Sequence, residues 1–280
     1  MKTCDAVKLV ESSLNLDQMH ARQFVCTALS FSLAEVVQNK SLDKEKQQFL
    51  QKCIDEVKEG KPLNKILNKE HFYGLEFYIN NNVLAPRPET EILVERAILT
   101  CKEMQDSGAS GVDILDLCTG SGVIGITIKK MCPQAKVVMS DISQEAIEVA
   151  KINAQTLGAD VKIVQSNMFE KLSGKFDIIV SNPPYISSEE YSTLDSSVLL
   201  YDPKIALCDG GDGLSFYRDI AKNACNFLND NGAILLEIGY NQKEDIENIM
   251  KRYFKEIYIY NDYQGIARVV VLKGVRKNVR

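Results

Sequence analysis

Residues 176–185 hold the chain's most chemically pointed stretch, an apolar run that breaks off into Asn182-Pro183-Pro184-Tyr185. A proline has no N–H and a fixed φ, and it forces the residue before it into extended geometry, so Asn182 and Pro183 are held stiffly. The tip is rich in acceptors and poor in donors. The side-chain oxygen of Asn182 and the carbonyl of Pro183 can both accept from one NH2 group, beside the flat face of Tyr185. Such a site suits a planar amide or an exocyclic amine. An amide nitrogen is a poor nucleophile because its lone pair is spread into the carbonyl. Two hydrogen bonds accepted from its NH2 would fix the nitrogen and strengthen as positive charge develops there. Asn182, Pro183 and Tyr185 are therefore the candidate catalytic residues, and Asn182, Pro183, Pro184 and Tyr185 the candidate substrate contacts.

The element that must carry this tip is a strand: Phe176, Ile178, Ile179 and Val180 form a nearly continuous apolar run, as in a parallel strand covered on both faces. Upstream, residues 112–125 read as a strand, a glycine loop and the start of a helix. Gly120 and Gly122 allow positive φ and close backbone approach to a ligand, and Gly125 allows tight helix-to-strand packing. Gly120-Ser121-Gly122-Val123-Ile124-Gly125 matches the dinucleotide fingerprint, and residues 135–140 form a second strand ending in Asp141. This acidic side chain stands nineteen residues after Gly122, where it can bind ribose hydroxyls. On these residues alone NAD and S-adenosylmethionine fit equally well. The Asn182 to Tyr185 tip separates them, because hydride transfer has no use for a rigid double acceptor and no Walker-type loop is present. Methyl transfer does use it. The sulfonium already carries the electrophile, so orientation can supply much of the rate, with effective molarities on the order of 10⁵ M. No dedicated general base is required if the proton leaves after transfer. A third strand, residues 161–164, is followed by Ser166-Asn167-Met168-Phe169. In a methyltransferase this segment would border the adenine, with Asn167 a polar contact and Met168 and Phe169 an apolar wall; read otherwise, it is a loop with core side chains.

The tetrapeptide resembles the Asn/Asp-Pro-Pro-Tyr motif of S-adenosylmethionine-dependent methyltransferases that modify planar nitrogens. Further motifs extend the resemblance over essentially the whole chain: a helical N-terminal region, Pro86-Arg87-Pro88-Glu89-Thr90-Glu91, the loop from Asp116 to Gly122, Asp141, Asp209-Gly210-Gly211-Asp212-Gly213, and residues 262–268. In that order they look like the peptide-chain release factor glutamine N5-methyltransferases. The resemblance implies that Cys118, Thr119, Gly120, Ser121, Gly122 and Asp141 bind S-adenosylmethionine, with Met168 near the adenine and Asn182 bordering cofactor and substrate alike. It implies that Asn182 to Tyr185 hold the glutamine of the Gly-Gly-Gln tripeptide in class-1 release factors, that S-adenosylhomocysteine is the product, and that Arg87 and Glu89 shape the site. Two residues depart from the family pattern. Cys118 replaces the usual first glycine, and Met168 a commonly aromatic position. A ribosomal-protein glutamine methyltransferase shares the tetrapeptide, as do adenine-N6 DNA methyltransferases. The helical region and the Pro86 to Glu91 motif favour the release-factor enzyme, and intact Asn182 and Tyr185 argue against a silent cofactor-binding scaffold.

The fold class expected is α/β: a Rossmann-like class I S-adenosylmethionine-dependent methyltransferase with a seven-stranded sheet whose last strand is antiparallel. The strand–helix alternation and the short loop between residues 257–260 and 267–272 give that count and that reversal. A helical docking domain is expected over 1–71, with Ser41 capping its third periodic segment. A hairpin linker is expected over 72–87, turning at Asn80-Asn81-Asn82, and the methyltransferase domain over 88–280. Pro88 fits a first helical position, Ser143 a helix cap, and residues 209–213 a flexible turn. Lys273, Arg276, Lys277 and Arg280 read as a solvated basic tail. With a net charge of −5, duplex DNA has no evident basic face to bind, and no stable nucleic-acid partner is expected. The eight cysteines contain no C-x-x-C pair and the two histidines, His20 and His71, no metal pattern, so reduced thiols and no structural metal are expected. No signal-peptide pattern or apolar run near the roughly 18 residues of a membrane span is found, which predicts a cytoplasmic protein, with a monomer the default.

Overall fold

The computed structural model describes residues 1–109 and 111–276, and these fall into two units, Met1–Asn68 with Ser196–Tyr201, and Lys69–Asp195 with the chain from Asp202 onward. In the first unit the 3.6-residue periodicity yields α1 (Thr3–Leu14), α2 (Gln18–Leu29), α3 (Leu33–Val37), α4 (Lys44–Lys58) and α5 (Leu63–Leu67). Their apolar stripes meet in a core that includes Val10, Val25, Leu50 and Ile54. The cap of α4 is Asp43, which accepts from the Lys46 amide at 2.8 Å, and not Ser41, which bridges to Lys2. The carboxylate favours the positive helix end more than a hydroxyl does.

The second unit opens on a hairpin, β1 (Lys69–Phe72) and β2 (Leu75–Tyr78). Its turn is Tyr73-Gly74, with φ of 51° and 75°, the left-handed pair that a two-residue connection demands. The turn expected at Asn80–Asn82 is instead an Asx turn beyond the hairpin: the Asn80 side chain accepts from the Asn82 amide at 2.9 Å. Asn153 ties the hairpin to the glycine loop. Its side chain accepts from the Tyr78 amide and donates to the carbonyls of Tyr78 and Ser121, all within 2.9 Å.

Pro88 and Glu89 form a turn of i→i+3 bonds, and helix α6 (Thr90–Asp106) starts after it rather than at Pro88. Then follow β3 (Asp113–Leu117), α7 (Val123–Met131), β4 (Lys136–Asp141), α8 (Gln144–Thr156), β5 (Lys162–Gln165), β6 (Phe176–Ser181) and α9 (Ser188–Tyr191). After α10 (Ser196–Tyr201), which groups with the first unit, come α11 (Lys204–Leu207), α12 (Ser215–Phe227), β7 (Leu228–Glu237), α13 (Lys243–Met250), β8 (Phe254–Asn261) and β9 (Ala267–Val275).

Among the described residues the main sheet has seven strands in the order β5-β4-β3-β6-β7-β9-β8, parallel except for β9, which runs against both its neighbours. Alternate side chains feed two cores: Ile114, Ile178 and Val180 face α6 and α7, while Leu115, Leu117 and Ile179 face α12 and α13. Cover on both faces explains the unbroken apolar run in β6. The order reverses between β3 and β6, the switch point at which such sheets bind ligands beyond their strand ends. At the far edge, Lys273 lies within β9, and Arg276 Nε donates to the Phe254 carbonyl at 3.0 Å. Arg276 is exposed, as expected of a solvated tail, while Lys273 is half-buried within the sheet, and Lys277 and Arg280 lie outside the described residues. No helix among the described residues is long and apolar enough to cross a membrane.

Candidate active site

Parallel pairing sets Leu117 opposite Ser181, so the glycine loop and the Asn182 tip leave the sheet side by side. The Ser181 hydroxyl locks this register by donating to the Leu117 carbonyl at 2.6 Å. Between the two tips lies a cleft enclosing about 1050 Å³ of empty space, part of it open to solvent. Cys118, Thr119, Gly120 and Ser121 line it, as do Asp141, Asn167, Met168, Asn182 and Pro184. Gly122, Pro183, Tyr185 and Phe169 do not.

Each of those four has a different place. A Cβ on Gly122 would meet Met139 Cε at 2.8 Å and Ile126 Cδ1 at 2.9 Å, so this glycine serves helix packing. Gly120, at φ 56°, has nothing within 4 Å of a built Cβ. Close approach by a ligand therefore belongs to Gly120. Pro183 is buried behind the tip. Of the two readings of Phe169, apolar wall or core side chain, the structure gives the core: its ring stacks on Phe227 with centroids 4.8 Å apart. Its position follows from Met168, whose left-handed φ of 45° turns the chain between them.

Cys118 takes φ 61°, the conformation a glycine would adopt without strain. Burial, then the Asp141 charge, pushes its thiol well above the usual range. It is a protonated packing group, with Sγ 3.9 Å from Met168 Sδ. Asp141 accepts from the Gly120 amide through Oδ2 at 2.8 Å and from the Ser143 amide through Oδ1 at 3.0 Å. Ser143 caps α8 as its position predicted. Burial raises the Asp141 pKa against those amides. A carboxylate so placed is a receptor for neighbouring hydroxyls.

Asp116, wholly buried, holds the loop from behind: it accepts from Thr119 Oγ1 at 2.5 Å and from the Gly125 amide at 2.9 Å. Burial pushes its pKa up to about 7 against these bonds. The signal for it was an acid inside the apolar strand 112–117, which sequence reasoning passed over.

On the other tip, Asn182 Nδ2 donates to Thr90 Oγ1 at 3.4 Å. Thr90 and Asn182 also face the carboxylate of Glu237, the last residue of β7 and 3% exposed. Tyr185 sits beside the cleft, its ring against Gly239, where a Cβ would come within 2.9 Å of Cδ2. Burial, then the Glu237 charge, pushes its phenol up to about 12, so it is neutral. Gln242 fixes it: Nε2 donates to the carbonyls of Tyr185 at 2.9 Å and Gly213 at 3.2 Å, while Oε1 accepts from the Gly239 amide at 2.9 Å. The turn at 209–213, expected to be flexible, is a packed buttress. Asp209 accepts from the amides of Gly211 and Ser215 and from the Ser215 hydroxyl, and a Cβ on Gly213 would lie 2.5 Å from the Tyr185 carbonyl oxygen. Arg87, at the rim, pairs with Asp202 at 3.5 Å. Glu91 accepts from the Tyr73 amide at 2.7 Å, anchoring the hairpin turn to α6. Thr90, Glu237 and Gln242 escaped sequence reasoning because only the fold brings the first two to Asn182 and the third to Tyr185.

Residues 96–214 match the Methyltransferase small domain family. A release factor glutamine methyltransferase of Agrobacterium fabrum is 39% identical over 258 residues, covering 90% of this chain and 89% of that protein. One from Streptococcus pneumoniae is 37% identical over 84% and 83% of the two chains. Among solved structures, a methyltransferase from Pyrococcus furiosus superposes with a TM-score of 0.54 at 18% identity, over 80% of this chain and 96% of that one, a likeness of fold.

Proposed function

The chain belongs to the release factor glutamine methyltransferase family, and from that premise we propose that it methylates the side-chain amide nitrogen of the Gly-Gly-Gln glutamine in class-1 release factors. The observation that carries the reading is the cleft in which Gly120 and Asp141 at one end face Asn182 and Pro184 at the other. S-adenosylmethionine fits the first end: the backbone is bare beyond Gly120, and Asp141, half-buried, offers carboxylate oxygens to a ribose. When bound it supplies an electrophilic methyl group on a sulfonium, and S-adenosylhomocysteine is the product.

The chain's own residues then act on the amide. Asn182 Oδ1, from the cleft lining, accepts one N–H bond of the substrate amide, and the Pro183 carbonyl, set behind the tip, is assigned the second, so that the nitrogen is held toward the methyl group. Those bonds tighten as the nitrogen becomes positive, which lowers the barrier more than it strengthens binding. Tyr185, neutral and fixed through Gln242, closes the side of the site against the planar group. The transfer forms a nitrogen–carbon bond, breaks a sulfur–carbon bond and releases one amide proton. The site lies in the second unit, and the protein is proposed to act in the cytoplasm as a monomer. Labelled methyl transfer tests the reading: the expected result is label on an intact release factor and none on its Gly-Gly-Ala variant. Label confined to a ribosomal-protein extract or to DNA would overturn it.

A further inference from the structure

Glu237 is 3% exposed, and its Oε2 has no hydrogen-bond partner among the described residues. Burial of such a group without full pairing is costly and calls for a reason. It does not line the cleft; Asn182 and Thr90 do, and both face its carboxylate, with Thr90 2% exposed. The side-chain amide of Asn182 has two nearly isosteric orientations. Only one of them presents an oxygen to a substrate NH2.

We propose that Glu237 is a positioning residue whose carboxylate, through Thr90, sets the orientation of the Asn182 amide so that Oδ1 faces the substrate. This inference rests on the amide-methylation reading and deepens it. An ionised carboxylate only accepts, so the Thr90 hydroxyl donates to it. The Thr90 oxygen is then left to accept from Asn182 Nδ2, the bond seen at 3.4 Å. With both roles fixed, Oδ1 is the atom left for the cleft. A neutral group at 237 can donate. It would turn the Thr90 hydroxyl toward Asn182, reverse the amide and set one NH2 against another.

The direction of the relay thus depends on charge at 237. Arg268 from β9 faces the carboxylate and favours its ionised form, although Arg268 Nε is also engaged with Asp262 at 3.0 Å. Glu89, from the turn before α6, opposes ionisation. Tyr185 and Tyr217 complete the titratable surroundings, and both phenols are pushed upward, so they contribute no charge near neutrality. Burial outweighs the pairing and brings Glu237 to about 7. Asp116 titrates in the same range, but it supports the cofactor loop, so its protonation is read in cofactor affinity.

The test measures kcat for methyl transfer to purified release factor and calorimetric affinity for S-adenosylmethionine, from pH 6 to 9. Wild type, Glu237→Gln, Thr90→Val and Thr90→Ser are compared. The relay predicts that wild-type kcat falls about tenfold per pH unit below about 7. Glu237→Gln loses kcat by roughly tenfold or more at pH 8, loses the acidic limb, and binds cofactor as wild type does. Thr90→Ser keeps turnover and Thr90→Val loses it. Wild-type kcat in Glu237→Gln with the acidic limb intact would overturn the relay. If Glu237→Gln fails to fold, the serine–valine contrast at position 90 decides, and equal turnover in those two overturns it. No transfer by wild type would remove the amide reading and the relay together.

Discussion

Gly213→Ala tests whether the 209–213 turn positions the catalytic tip. Gly213 has φ 81°, and a Cβ built on it would lie 2.5 Å from the Tyr185 carbonyl oxygen, 2.9 Å from Gln242 Nε2 and 3.3 Å from the Ser187 amide nitrogen. The left-handed backbone costs an alanine about 1–2 kcal/mol. The contacts add about 1–3 kcal/mol of overpacking, because two of the three atoms are backbone and cannot rotate away. Gly210 supplies the control: its φ is 76°, and nothing lies within 4 Å of a built Cβ. Gly210→Ala should therefore carry the backbone strain alone. In urea unfolding, Gly213→Ala is expected to lose about 2–5 kcal/mol and Gly210→Ala about 1–2 kcal/mol. The larger effect falls on turnover. Relief of the clash must move the Tyr185 carbonyl or break the Gln242 bonds, and a displacement of about 1 Å at a reacting centre can cost on the order of 10²-fold. Cofactor affinity, set at the other end of the cleft, should hold. Equal stability losses in the two variants, or full methyl transfer by Gly213→Ala, would refute the claim that this turn braces Tyr185.

Asn182→Ala removes one of two acceptors at the nitrogen where charge develops, so kcat should fall by about 1.5–3 kcal/mol of barrier while cofactor affinity changes little; unchanged methylation would end its proposed role. Asp141→Ala removes the acceptor for the Gly120 and Ser143 amides as well as the ribose receptor, and calorimetry should show S-adenosylmethionine affinity weakened by about 1.5–3 kcal/mol. Wild-type affinity in that variant would refute the ribose assignment. Stability should also respond to pH through Glu237. Its carboxyl is raised from 4.5 to about 7 by burial, so the folded state holds a proton that the unfolded chain has released between those values. The stability this gives is full below 4.5 and lost as pH rises through about 7. Glu237→Gln should then be more stable than wild type at pH 8, by an amount on the order of 3 kcal/mol, and the gap should close toward pH 5. Asp116 titrates alike in both proteins and cancels. Parallel stability curves would refute a buried charge at position 237.

The sheet and its ligand end were legible because their signals are local. The apolar run of β6, the glycine loop and the acid closing β4 each declare themselves within a few residues, and the switch point needs only their order. What escaped was set by contacts between distant segments. The hairpin turn went to Tyr73-Gly74 because two consecutive left-handed residues fit there, while Asn80 found a local partner in Asn82. Phe169 reads from its neighbours as a cofactor wall or a core side chain, and Phe227 on α12 draws it into the core. Residues 209–213 look flexible by composition. Asp209 and the approach of Tyr185 make them a braced turn. Cys118 stands where a glycine suits the backbone, and its left-handed φ shows that the loop geometry overrides the residue's preference.

Three buried or half-buried carboxylates at the ligand end of the sheet show why this fold accepts a stability penalty there. Asp116 on β3, Asp141 on β4 and Glu237 on β7 all have their pKa raised, with burial the largest cause. Each charged form therefore weakens the folded state, and an apolar or amide replacement of equal shape would lessen that burden. A neutral side chain, however, cannot dictate which way a hydroxyl or amide points. A carboxylate can, because it only accepts. Asp116 commits Thr119 and the Gly125 amide, Asp141 commits the Gly120 amide, and Glu237 commits Thr90 and through it Asn182. The first two arrange the loop that meets the cofactor, and the third arranges the acceptor that meets the substrate. Methyl transfer to a resonance-weakened nitrogen gains most from fixed orientation, so the buried charge lies where direction matters more than stability.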